Sequence, residues 1–190
     1  TFIIRTSGRI FKYLSERCLA GMSGTSKILL GIVVAGMMAV DMGGPFNKAA
    51  YVFGTASIAA GNYDIMAAVM IGGMVPPAPS PWLPCSLKQI HKGRAEIRPG
   101  QLYYGSGFIT EGAIPFAASD PLHVLPACVV GAGVSGALSM AFGCTLMAPH
   151  GGIFVFPVVG NAMMYLVALV IGTLIGAFLL GALKKKTAEK

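Results

Sequence analysis

Two long runs free of charged residues limit the possible folds of this chain more than any other feature. The runs are Val124–Pro149 and Gly151–Leu183. A helix needs about 20 apolar residues to cross the hydrocarbon core of a bilayer, and each run exceeds that length. In the whole chain 11% of the residues are charged, against about 25% in ordinary soluble domains. The sequence therefore predicts an all-α, polytopic integral membrane protein.

The basic residues indicate how the chain is oriented in the membrane. A net charge of +7 could point to a nucleic-acid partner. The basic residues, however, lie between and after the apolar runs, as the positive-inside rule describes. This pattern favours a lipid bilayer and no nucleic acid. Residues 78–107 form a basic loop with prolines at its start, and Lys184–Lys186 follow the last run, so we expect both in the cytoplasm.

The number of membrane crossings between these two cytoplasmic points must be even. Val124–Met147 and Phe154–Leu180 supply two crossings. The segment that precedes them, Phe108–Pro121, must therefore enter and leave the membrane on one side. This count predicts a re-entrant segment.

The residues of that segment, FITEGAIPFAASDP, agree with this prediction. It carries two carboxylates, Glu111 and Asp120, among glycine and proline. Ionisable residues at membrane depth are functional by default, and irregular backbone survives there only inside protein or beside water. We expect broken helices that present Glu111 to a polar ligand. The alternative is a surface loop in which Glu111 is merely solvated.

A second polar group lies between two apolar runs. Asp41, Asn47 and Lys48 flank the helix-breaking residues Gly43–Pro45. If they are buried, Asp41 and Lys48 are natural partners, because an unpaired buried charge is costly. The alternative is an exposed turn. His150 is a third polar residue at a helix break, in the sequence PHGG, and is either a hydrogen-bonded structural group or a ligand.

The remaining apolar runs are shorter and rich in small residues. Ile28–Val40, Ala49–Gly61 and Ile65–Val75 fit half-spans or tilted helices better than full crossings. Small residues at Gly131–Gly136, and the GxxxG pair Gly172 and Gly176, predict tight contacts between helices.

Motifs for phosphate cradles, dinucleotides and nucleophilic catalysis are absent from the sequence. The four cysteines have no metal-ligand spacing. We therefore expect no cofactor, no metal and no phosphoryl-carrying catalytic residue. Broken helices are where transporters build solute sites, so the residues predict a small polar solute bound midway through the bilayer. Glu111 is the main candidate ligand, with Asp41, Asn47, Lys48, Asp120 and His150.

Three stretches resemble one family of proteins. MMAVDMGGPFNKAAYVF (Met37–Phe53), FITEGAIPFAASDP (Phe108–Pro121) and APHGGIFV (Ala148–Val155) are similar to the membrane-embedded IIC component of the fructose-family sugar phosphotransferase system. The similarity covers Met22–Pro77 and Phe108–Leu183.

This resemblance implies a sugar permease, part of a sugar phosphotransferase. It would bind fructose or a related sugar at Thr110, Glu111 and Gly112 while a phosphorylated IIB partner passes phosphate to the sugar. Glu111 would accept hydrogen bonds from sugar hydroxyls, and His150 and the Asp41–Lys48 segment would help line the site. It further implies a multi-pass protein of the bacterial cell membrane with a cytoplasmic C-terminus, and we expect a homodimer. The alternatives are an uncoupled solute carrier, which would need no IIB, and a non-functional fragment.

The departures from the family define the expected domain limits. Residues 1–24 match poorly and form either a basic amphipathic helix or a ragged end. Residues 25–183 form a partial IIC membrane domain, since the family's region is roughly twice as long, and residues 184–190 form a cytoplasmic basic tail. Residues 78–107 do not match. His91–Gly107 read one nucleotide later gives TKAERKSGQVNYIMGLG, which resembles the family. We hypothesise two compensating frameshifts, which sequencing of the gene tests.

Overall fold

The computed structural model describes residues 24–76 and 105–187. The predicted N-terminal segment, most of the basic loop and the end of the basic tail lie outside the described residues. Six α-helices account for most of the described chain. They are α1 (Gly24–Val40), α2 (Pro45–Ala59), α3 (Tyr63–Met74), α4 (Ile114–Ser119), α5 (Pro121–Ala141) and α6 (Ala162–Thr187). The predicted helical character is confirmed.

Helix α3 is the centre of the packing. Every residue from Ile65 to Met74 is buried, as expected for a stretch that has no polar residue and four small ones. Helix α1 runs parallel to it: Lys27 pairs with Asp64 at 3.1 Å near one end, and Ala35 contacts Gly72 further along. Helix α3 is thus an internal element that positions its neighbours.

Glycines allow the helix backbones to approach closely. A Cβ atom on Gly31 of α1 would lie 2.6 Å from the carbonyl oxygen of Gly136 on α5. A Cβ atom on Gly131 of α5 would lie 2.8 Å from the carbonyl oxygen of Gly172 on α6, and 3.1 Å from Gly176. The tight contacts predicted from the small residues are therefore present, and the GxxxG pair of α6 packs against α5 of the same chain.

Helices α5 and α6 are the two described helices long and apolar enough to cross a membrane, over Pro121–Ala141 and Ala162–Leu183. They run antiparallel, because the Ser135 hydroxyl donates to the carbonyl of Ala168 at 3.1 Å and Gly131 faces Gly172 and Gly176. Helix α6 continues to Thr187, and so includes the first residues of the predicted basic tail.

The connection between these helices corrects the predicted crossings, Val124–Met147 and Phe154–Leu180. It contains a 3₁₀ helix, Gly152–Val158, and a ladder of two-residue strands, β1 (Thr145–Leu146) and β2 (Val159–Gly160). Hydropathy is high throughout, but residues with positive φ turn the chain here: Gly143, Gly151, Gly152 and Asn161. A positive φ at Gly143 follows the end of α5, and a positive φ at Asn161 precedes the start of α6.

Gly72→Ala tests the close packing around α3. The new methyl group would lie 2.5 Å from the Cα atom and 2.7 Å from the carbonyl oxygen of Ala35, so two backbones must move apart. We expect a loss of about 1–3 kcal/mol in the free energy of unfolding, measured as a lower melting temperature in detergent. Gly181→Ala on α6 is the matched control, since nothing lies within 4 Å of its Cβ position. Equal melting temperatures for the two variants would contradict the packing described.

Candidate functional site

The segment Phe108–Pro121 folds into two short pieces instead of one regular helix. A 3₁₀ helix, Thr110–Ala113, leads into α4, which ends at Ser119, and Asp120 alone separates it from α5. Proline near the start of α4 and of α5 suits these boundaries, because proline is favoured in the first turn of a helix and disrupts its interior. The result places Glu111 in the first turn of the 3₁₀ helix, with its side chain exposed.

Phe108 anchors the beginning of this segment. Its backbone has a φ of 65°, which is a genuine outlier for a bulky residue. The surroundings hold it there: the ring is buried against Gly73, and the backbone of Gly152 packs on Ser106–Phe108. Neither glycine has room for a side chain. Strained conformations of this kind persist where packing enforces them, and they concentrate at functional sites.

Glu111 lies against the turn that joins α1 to α2. A Cβ atom on Gly43 would lie 2.6 Å from Oε1 of Glu111, and Gly43 itself has a φ of 104°. The structure therefore brings the two predicted polar groups together. Within residues 24–76 and 105–187 the Glu111 side chain has no hydrogen bond or ion pair.

Asp41 has a different role from the one predicted. Its two carboxylate oxygens accept hydrogen bonds from the backbone N–H groups of Phe46, at 2.7 Å, and Asn47, at 2.9 Å. These groups belong to the first turn of α2, whose N–H groups lack partners within the helix, and a negative charge is favourable at that end. Lys48 is exposed and forms no ion pair with Asp41. The Asp41–Lys48 pair was predicted only if both residues are buried, and this condition is not met. Lys48 is exposed and the N-terminus of α2 satisfies Asp41 instead.

Asn47 connects three elements, and its side-chain amide donates its hydrogen bonds within the protein. Its side-chain amide donates to the carbonyl of Met38 on α1 at 2.7 Å and to Oγ1 of Thr110 at 3.1 Å. Asn47 and Thr110 are 7% and 3% exposed. Both amide protons are thus used inside the protein. Asn47 and Thr110 hold the 3₁₀ helix on α2, beside Glu111.

His150 reaches the same region through aromatic contacts. Its exposed ring lies edge-on to Phe108, with centroids 5.3 Å apart, and to Tyr51, with centroids 6.4 Å apart. Tyr51 and Phe108 contact each other at 6.1 Å. The sequence analysis did not identify Tyr51. The signal that could have found it is its position four residues after Asn47, which puts both side chains on one face of α2.

The other two predicted site residues are Asp120 and Gly112. Asp120 lies at the far end of α4, where Oδ1 is 2.6 Å from Nδ1 of His123. It therefore belongs to the start of α5 and not to the contacts around Glu111. Gly112 is buried inside the 3₁₀ helix.

The chemistry of this site suits a neutral polar ligand. Glu111 supplies an acceptor, and His150 supplies a ring nitrogen that can donate or accept. No group of three or more His, Cys, Asp or Glu residues that could hold a metal is found among the residues the structure describes. These side chains can form hydrogen bonds with a polar ligand.

Comparison with known proteins adds independent information. The chain is 45% identical over 190 residues, all of it, to the PTS system fructose-specific EIIABC component of Bacillus subtilis strain 168, of which the match covers 30%. It is 44% identical over 192 residues to the fructose permease IIC component of Bacillus amyloliquefaciens, covering 100% of this chain and 62% of that protein. A PTS system fructose-specific EIIC component from Haloferax volcanii is 45% identical over 170 residues, covering 87% of this chain and 45% of the relative.

These relatives are longer than the present chain, which spans less than two thirds of each of them. No protein-family model matches the chain. No solved structure matches it.

Asn47→Ala tests the polar contact that holds the Glu111 segment. The substitution leaves the Met38 carbonyl and the Thr110 hydroxyl without their donor, and a buried group left without its partner costs about 1–3 kcal/mol. We expect a correspondingly lower melting temperature, and Thr110→Val in the same chain should add little because the shared bond is already lost. Lys48→Ala, an exposed change at the next residue, should be nearly neutral. Additive losses from the Asn47 and Thr110 substitutions would contradict their coupling.

Proposed function

Because this chain belongs to the family of fructose-specific IIC components of the sugar phosphotransferase system, we propose that it forms the sugar-binding and translocating part of a membrane permease. The substrate is fructose or a related sugar, and uptake is coupled to phosphorylation by a IIB partner. The observation that carries this proposal is the exposed Glu111 carboxylate. It is placed by the contact with Gly43 and by the Asn47–Thr110 bond, and among the described residues it has no partner of its own.

The proposal assigns sugar hydroxyls to Glu111. A charged acceptor makes stronger hydrogen bonds than a neutral one, worth about 1.5–3 kcal/mol. His150 contributes a second polar contact, because its ring is held by Tyr51 and Phe108 at the same segment. Asp41, Asn47 and Thr110 act as positioning residues, since their polar atoms are bound within the protein.

We also propose a membrane topology for this chain. Phe108–Pro121 is a re-entrant segment in a multi-pass protein of the cell membrane, with its C-terminus in the cytoplasm. Support comes from the length of its two pieces, four residues of 3₁₀ helix and six residues of α-helix. They are too short to cross a hydrocarbon core that needs about 20 helical residues. A segment of this kind can enter the membrane and leave it on the same side.

Partners follow from the same proposal. The name of the Bacillus subtilis relative combines A and B components with C, and that of a relative in Escherichia coli strain K12 is fructose-specific EIIB'BC component. A phosphorylated IIB domain is therefore the proposed phosphate donor. A homodimer in the lipid bilayer completes the assembly. Helix α6 offers an exposed apolar stripe for lipid or for a second copy, formed by Met163, Leu166, Val167, Val170, Leu174 and Phe178.

Glu111→Gln tests the assignment of the sugar contact. The change keeps the shape of the side chain and removes its charge, so we expect fructose affinity to fall by at least ten-fold, while membrane insertion and melting temperature stay unchanged. Binding of labelled fructose to the permease in detergent measures this. Asp120→Asn is the matched control, because it makes the same chemical change at the carboxylate that pairs with His123. Unchanged affinity in Glu111→Gln would refute the assignment.

Cysteine labelling tests the topology. A cysteine at Met147, which is exposed between α5 and α6, and one added after Lys190 should react with a membrane-impermeant thiol reagent from opposite sides of the membrane. The native Cys144 should react slowly near neutral pH, because burial raises the pKa of its thiol and the thiolate is the reactive form. Labelling of both introduced cysteines from one side would contradict the crossing by α6.

A further inference from the structure

We propose that Tyr51 is a sugar-contacting residue of the Glu111 site, with its hydroxyl bonded to one hydroxyl group of the sugar. This inference rests on the proposed function and names a ligand residue that the sequence motifs do not single out.

The position of Tyr51 is the first reason. It lies one helical turn after Asn47 on α2, and Asn47 bonds directly to Thr110 beside Glu111. The Tyr51 ring contacts Phe108, two residues before Thr110, and it also contacts His150. Tyr51 therefore bridges the segment that carries Glu111 and the loop that carries His150. A ligand that reaches both polar side chains must pass close to this ring.

The state of its hydroxyl is the second reason. Tyr165, a fully buried tyrosine, is 1% exposed and donates to the carbonyl of Ala67 at 3.2 Å. Tyr51 is half-buried, and no hydrogen bond of its hydroxyl is found within residues 24–76 and 105–187. This hydroxyl is not among the buried polar atoms of the described residues that lack a partner, so solvent, and hence a ligand, can reach it. The Tyr51 ring is fixed by Phe108 and His150 while its polar tip stays available.

The competing explanation is that Tyr51 is a structural wedge or a tyrosine of the membrane interface, where such residues are enriched. Both roles use the ring and leave the hydroxyl dispensable for binding. The ring contacts with Phe108 and His150 are expected both for a structural wedge and for a sugar-binding residue. Only the hydroxyl separates the explanations, so the test must isolate it.

Sugar chemistry fits what Tyr51 offers. A sugar ring presents apolar C–H faces that can pack on an aromatic ring and hydroxyl groups that can bond to a phenol, which both donates and accepts. A site built to bond a substrate hydroxyl discriminates strongly against an analogue that lacks this group. Tyr51 would therefore contribute to specificity at one position of the sugar.

The experiment compares Tyr51→Phe with wild type across fructose and a set of monodeoxyfructoses, by equilibrium binding to the permease in detergent. We expect Tyr51→Phe to weaken fructose binding about three- to ten-fold, the effect of one neutral hydrogen bond. For one monodeoxyfructose we expect the two proteins to bind equally, because the partner hydroxyl is already missing. Tyr63→Phe, the same change at the start of α3, is the matched control and should behave as wild type.

Each other outcome is decisive. Wild-type fructose affinity in Tyr51→Phe, or an equal loss for every sugar in the set, would overturn the assignment and leave a structural role. Glu111→Gln in the same assay separates this failure from failure of the proposed function. If Glu111→Gln abolishes binding while Tyr51→Phe does not change it, only the Tyr51 assignment falls. If wild type binds no fructose, both proposals fall.

Discussion

Contact between helix backbones at small residues is the constraint on which the rest of this structure depends. Membrane helices gain nothing from hiding apolar surface from lipid, so packing at short range must hold them together. Gly31 against Gly136 joins α1 to α5, Gly72 against Ala35 joins α3 to α1, and Gly131 against Gly172 joins α5 to α6. Gly73, which follows Gly72, provides the surface against which the Phe108 ring packs. The position of the Glu111 segment is therefore a consequence of helix packing several residues away.

A small set of polar contacts then refines that position. Asp41 fixes where α2 begins, and Asn47 fixes how far the 3₁₀ helix sits from α1 and α2. A polar group in an apolar interior costs free energy if it lacks a hydrogen-bond partner. The network therefore has one satisfied arrangement, and Glu111 is the ionisable residue beside it that remains available. On the proposed function, Asp41 and Asn47 serve stability while the neighbouring Glu111 serves binding.

The sequence predicted the helices because hydropathy is visible residue by residue, and it identified Glu111 as a carboxylate in an apolar stretch, whose binding role stays a prediction. It missed where α5 ends and α6 begins, since a residue with positive φ just after a helix, such as Gly143, can end the helix without lowering hydropathy. It also misplaced Asp41, because a list of charges cannot show that backbone N–H groups of α2 compete with Lys48 for the carboxylate. Tyr51 was hidden inside an apolar run. Its significance depends on contacts with residues about 57 and 99 positions further along the chain.

The capping of α2 by Asp41 has an electrostatic consequence for what can remain bound. The positive end of the helix is already matched by one carboxylate, so the charge on Glu111 is not balanced by that dipole. On the proposed function, a neutral sugar would donate hydrogen bonds to this carboxylate. A phosphorylated sugar would bring a second negative charge, and two like unit charges 4 Å apart repel by about 4 kcal/mol at an effective dielectric constant of 20. On the proposed function, a phosphate group added close to Glu111 would therefore weaken binding of the product relative to the neutral sugar and favour its release.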